Sequence, residues 1–185
     1  PLPLLAIQIL WINLVTDGAP ALSLGVEPAH PRAMKQPPRD PNASILGQGL
    51  WQHAVWVGLL MTAIVLGVQA WSYHGGASEE TWRTLVFTVL AFMQLSHALV
   101  VRSERESIFK LGFRTNKVLL VVLVVSGLVQ LALVYVPVLQ PIFETPALWA
   151  SEVLVVRLVT PIPFFAVAIE MWFPRRREAA AEAAA

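Results

Sequence analysis

The sequence predicts an all-α membrane protein of five transmembrane helices, the first of them unwound near its middle. Three observations carry this reading. Of the 185 residues, 56% are hydrophobic and only 14% are charged, whereas a soluble domain carries about a quarter charged residues. The apolar residues are gathered into five stretches, each near the roughly 20 residues that cross a hydrocarbon core. The first stretch is broken by a cluster of polar, glycine and proline residues in its centre.

The first span runs from Leu2 to about Val26 and contains Asn13, Thr16, Asp17, Gly18 and Pro20. A long polar loop, Glu27 to Gln48, follows. The second span covers Leu50 to Tyr73, and a short loop, His74 to Arg83, leads to the third, Leu85 to Val101. A basic loop, Arg102 to Lys117, precedes the fourth span, Val118 to Val136. After Pro137 to Pro146 comes the fifth, Leu148 to Phe173, which Pro161 and Pro163 should kink. The chain thus divides into an ion-site helix (1–26), a cytosolic loop (27–48), a four-helix membrane bundle (49–173) and a cytosolic tail (174–185).

Lysine and arginine collect on the cytosolic side of a membrane. Eleven of them fall in the first loop, the third loop and the tail, which ends the last span with Arg175, Arg176 and Arg177. The opposite side holds Arg83 beside Glu79, Glu80, Glu144 and Glu152. The expected orientation therefore places Pro1 outside and the C-terminus in the cytosol. An odd number of spans, starting outside with a residue other than methionine, is expected of a piece of a longer protein. Trp51, Trp56, Trp71, Tyr73, Trp82, Trp149 and Trp172 read as an interfacial belt at the span ends. With no cysteine, disulfides and thiolate metal sites are excluded. The basic residues sit at membrane borders, so no nucleic-acid partner is expected; the lipid bilayer is.

The first span carries the chemistry. Asn13, Thr16 and Asp17 stand at i, i+3 and i+4, a spacing that puts them on one face of an α-helix. An aspartate at mid-span is unfavourable by roughly 2.5–3.5 kcal/mol and usually marks an ion path. Pro20 has no N–H, so the Thr16 carbonyl loses its i→i+4 partner, and Gly18 weakens the helix between them. A carboxylate, an amide oxygen, a hydroxyl and a freed carbonyl are the oxygens a hard cation such as calcium gathers in sets of about six to eight. One helix cannot supply them all, so other helices must contribute. The competing reading is a proline-kinked helix whose Asp17 bonds a neighbour.

The segment Gln8 to Pro28, with Asn13-Leu14-Val15-Thr16-Asp17-Gly18-Ala19-Pro20-Ala21, resembles the sixth transmembrane helix of P-type calcium ATPases, and Met34-Lys35-Gln36-Pro37-Pro38-Arg39 is similar to the Met-x-x-Pro-Pro-Arg stretch that follows it. The resemblance covers the chain up to the tail, as helices six to ten. It implies that Asn13, Thr16 and Asp17 are ion ligands, with Asp17 shared where a pump binds two ions. Sodium/potassium pumps have Asp in place of Asn13, so the transported ion should be calcium, with manganese as the closest rival.

Gln94, Ser96 and His97 interrupt the third span. By the resemblance, Gln94 stands where two-site pumps have a glutamate ligand, which implies one ion per cycle; alternatively Gln94 makes an interhelical hydrogen bond. His97 reads as a packing or hydrogen-bonding residue, Arg157 as a structural cation that snorkels outward or pairs with Glu152 or Glu144, and Glu170, beside the three terminal arginines, as a surface-paired residue. No Asp-Lys-Thr-Gly-Thr motif is present. The implied partners are therefore upstream helices one to five and the cytosolic domains that would handle ATP and magnesium, and this stretch alone should not hydrolyse ATP. Short outer loops and the lack of a regulatory tail suggest a bacterial plasma membrane. The competing functions are a small ion channel or secondary carrier using Asp17, and a non-catalytic membrane scaffold.

Overall fold

The computed structural model describes residues 2–26, 50–101 and 116–171, so the 27–48 loop, nearly all of the basic loop before Lys117 and the 174–185 tail lie outside the described residues. All regular structure among the described residues is helical, and five helices are long and apolar enough to cross a membrane. They are Ala6–Leu24, Leu50–His74, Glu79–Val101, Lys117–Tyr135 and Ala150–Met171.

The third span is the central post. It packs against all four others, and its residues 82–89 are all buried. Leu85, Val89 and Met93, four residues apart, form one apolar stripe that meets Val68 of the second span, Val134 of the fourth and Val156 of the fifth. Phe87, on another face, packs with Ile12 and Leu133. This span starts at Glu79, six residues before the expected Leu85. Glu79 and Glu80 occupy its first turn, where negative charge meets the positive end of the helix dipole. Polar residues that read as a loop are thus a helix terminus. Trp82 departs from the expected belt as well: it is 2% exposed and belongs to the core, with the Arg83 guanidinium 5.8 Å from its ring centre. Trp51, Trp71 and Trp149 remain exposed near span ends.

The fifth span breaks where the prolines require. Its α-helix Ala150–Val159 ends at Thr160, and a second helical piece covers 161–171. The Glu152 carboxylate accepts from the Trp149 N–H at 2.6 Å and caps the span. Arg83 pairs with Glu79 and stands 3.7 Å from Glu144, which is held in a left-handed conformation at the end of a short helix, Gln140–Phe143. Both acids that could pair with Arg157 are therefore engaged elsewhere, and Arg157 is exposed, which fits the outward-snorkelling alternative.

Glu170 has partners that the sequence did not suggest, while Arg175, Arg176 and Arg177 lie outside the described residues. The Glu170 carboxylate accepts from the Trp56 indole N–H at 2.8 Å and lies 2.7 Å from His53 Nδ1, both on the second span. His53 in turn stacks on His97 of the third span, with ring centres 5.8 Å apart. An apolar group of Val57, Val100 and Val167 surrounds this junction. The Glu170 carboxylate is partly exposed and takes the partners in reach of its own helix face, and these belong to the second span.

Candidate cation site

The first span is one continuous helix in three pieces: α-helix Ala6–Trp11, a π-helical segment Ile12–Gly18, and α-helix Ala19–Leu24. The expected unwinding takes the form of a widened turn. A π-helix bonds i to i+5, so the chain is underwound without leaving the helical path. Pro20 sits just past the segment, in the first turn of the next helix, and withholds the N–H that an α-turn would use. Gly18 permits the wide turn, because a Cβ there would stand only 3.2 Å from the Asn13 carbonyl oxygen.

The widened turn separates residues that α-helical spacing puts together. With more than four residues per turn, position 16 rotates away from the edge shared by 13 and 17. Thr16 is accordingly buried, at 1% exposure, while Asn13 and Asp17 are exposed. Thr16 Oγ1 lies 2.9 Å from the Ile12 carbonyl oxygen and 2.9 Å from Gln94 Oε1 on the third span. A hydroxyl has one hydrogen and donates it to one oxygen at a time. Donation to Ile12 calls for the Gln94 amide turned to offer its N–H to Oγ1. In either arrangement Gln94 and Thr16 hold each other. Of the four residues expected to coordinate, two form a hydrogen-bonded link inside the bundle and two face outward from it.

The inward face of the first span is fixed along its length. Gln8, Ile12, Thr16, Pro20 and Ser23 are its buried residues. Gln8 Nε2 donates to the Phe143 carbonyl at 3.0 Å, and its Oε1 caps the helix by accepting from Leu5 N–H. The Trp11 indole donates to Gln130 Oε1 at 2.9 Å. At the far end Asn116 donates to the Ser23 carbonyl at 3.0 Å while its Oδ1 caps the fourth span at Leu119. Sequence reasoning did not assign Gln8, Trp11, Gln130 or Asn116. The four-residue spacing of Gln8, Ile12, Thr16 and Pro20 could have pointed to the buried face; the partners on distant helices left no local signal.

Among the described residues no group of three His, Cys, Asp or Glu side chains could hold a metal ion. Asp17 is the sole carboxylate on the first span. What the arrangement supplies is a partial shell, one carboxylate and one amide on an exposed edge of an underwound helix, mounted on a fixed opposite face.

Residues 1–173 match the family model described as cation transporting ATPase, C-terminus. The chain is 37% identical over 186 residues to calcium-transporting ATPase 1 of Saccharomyces cerevisiae, covering 96% of the chain and 19% of that protein. It is 35% identical over 178 residues to calcium-transporting ATPase type 2C member 2 of Mus musculus, covering 93% of the chain and 18% of the relative. A Bacillus subtilis calcium-transporting ATPase is 36% identical over 169 residues, covering 91% of the chain and 19% of the relative. The chain spans about a fifth of the length of these relatives. A match running from the first residue through the fifth span, with the underwound helix at its start, makes this chain a member of the cation-transporting ATPase C-terminal family.

Proposed function

We propose that the chain is the membrane part of an ATP-driven calcium pump and that Asn13 and Asp17 supply oxygen ligands to its transport site. The observation that carries this is the exposed Asn13–Asp17 edge at mid-span in a family of cation-transporting ATPases. A charge there needs partners, and helices one to five of the same pump would bring the remaining oxygens. ATP and magnesium act through the cytosolic domains of that larger protein, and manganese is the rival ion. A channel or carrier formed by these five spans alone is disfavoured, because Asp17 lies on the outside of the bundle, not between its helices. ATP-driven, calcium-dependent uptake into vesicles bearing the full-length pump tests the reading. Uptake that ignores calcium but follows another cation would replace the ion; uptake without ATP would replace the mechanism.

Gln94 is tied to Thr16 and offers a neutral amide where a second ion needs charge. The pump should therefore carry one calcium per ATP. Transport stoichiometry in sealed vesicles checks this, and two calcium per ATP would show that a second site is built without Gln94.

The pump is placed in a plasma membrane, bacterial in type, with the 27–48 loop and the C-terminus in the cytosol. Single cysteines at Ala33 and Ala77 test the topology. An impermeant thiol reagent applied to intact cells should label only the Ala77 variant; labelling at Ala33 reverses the orientation.

A further inference from the structure

The fifth span turns an apolar stripe away from the bundle. Leu154, Leu158, Ile162, Phe165 and Ile169 are exposed along it, while Val156 and Val167 on the other side are buried. Arg157 is exposed beside Leu154 and Leu158 on this stripe and has no ion pair or hydrogen bond among the described residues. The acids on its own span and on the preceding loop are taken: Glu152 caps the start of the span, Glu144 stands by Arg83, and Glu170 meets His53 and Trp56. Arg157 lies seven residues past Ala150, about 10 Å along the helix axis, within a hydrocarbon layer roughly 30 Å thick. Side chains on a helix lean toward its N-terminus. The guanidinium is thereby directed to the membrane surface at the Trp149 end, with its stem over apolar neighbours.

A cation so placed calls for a counter-charge, because hydrocarbon neither screens nor solvates it. No acid lies on the stripe among the described residues. A second copy of the chain meeting the stripe about a two-fold axis would bring two arginines face to face. We propose that Arg157 and the stripe bind one anionic phospholipid, its headgroup phosphate on the guanidinium and its acyl chains along Leu158, Ile162 and Phe165. A guanidinium offers parallel N–H donors that match two phosphate oxygens. A zwitterionic headgroup carries its own cation, which competes for that phosphate and leaves the pair with a net positive charge; phosphatidylglycerol does neither. In the orientation proposed above this lipid belongs to the outer leaflet. The site itself depends neither on that orientation nor on calcium transport.

The test uses the full-length protein in detergent micelles without calcium. Thermal unfolding is followed as phosphatidylglycerol, phosphatidylcholine or inorganic phosphate is added. Phosphatidylglycerol should raise the melting midpoint of the wild type by several degrees more than phosphatidylcholine does. Arg157→Gln should lose most of that excess, and Arg157→Lys should keep part of it. Other basic residues contribute equally to wild type and variant, so the difference reports on position 157. Leu154→Glu places an acid one turn from Arg157 and should also remove the excess, by supplying the counter-charge from within the chain. It decides the matter if Arg157→Gln does not fold. An excess of the same size in the wild type and these variants, as expected if another helix of the full-length protein covers the stripe, overturns the site. Equal effects of the two lipids on the wild type overturn it as well. An excess reproduced by inorganic phosphate alone means a free anion and overturns the lipid as occupant.

Discussion

Asp17→Asn in the full-length pump should abolish calcium-activated phosphorylation by ATP, raising the calcium requirement by about a hundredfold or more. The substitution keeps the side chain's shape and its oxygen but removes the charge, and the number of charged ligands sets affinity in a hard-cation site. Asp17 is exposed on the widened turn and, among the described residues, has no hydrogen bond that the change would break, so folding should be preserved. Phosphorylation from inorganic phosphate, which by family resemblance needs no bound calcium, should survive and serves as the control for an intact protein. Asn13→Ala should weaken the same step. Leu14→Ala, at a position 67% exposed, should leave calcium affinity near wild type. Normal calcium activation in Asp17→Asn would remove Asp17 from the site.

Gly18→Val should raise the half-saturating calcium roughly tenfold without touching a ligand, because ligands must be held to within about half an ångström of productive geometry. A Cβ at position 18 stands 3.2 Å from the Asn13 carbonyl oxygen, a backbone atom that yields only if the turn moves. The branched side chain enlarges the clash, so the turn must shift and change the spacing of Asn13 and Asp17. Gly18→Ala should move affinity in the same direction by less. The readout is the calcium concentration for half-maximal phosphorylation; wild-type affinity in Gly18→Val would mean that the widened turn does not set the ligand geometry.

The five spans were legible in the sequence because each is a run of apolar residues with the length a membrane demands. The disturbance of the first helix was also legible, since glycine and proline act through the backbone itself. Its form was not. Whether a chain relieves a missing N–H by unwinding or by a π-turn depends on what holds the helix on either side, and here Trp11 and Ser23 are fastened to other spans on both sides of the turn. The different face taken by Thr16 follows: the i, i+3 and i+4 spacing assumes α-winding, and the π-segment turns that residue inward to Gln94. The partners of Glu170 left no local signal: distant elements bring it His53 and Trp56, while Arg83 draws Glu144 and leaves Arg157 exposed, the outward of its two expected placements. Trp82 looked interfacial because it lies near a helix end in the chain; the central position of its helix buries it.

The two faces of the first span are built to different rules. One is bonded to its neighbours through Gln8, Trp11, Thr16 and Ser23, and most substitutions there strand a polar group and cost stability. The other meets no such penalty at Asn13, Leu14 or Asp17, which are exposed. Descent with modification can therefore rewrite residues on the open face one at a time while the scaffold face stays as it is. A lineage using this helix can change what that face binds without passing through an ancestor that does not fold.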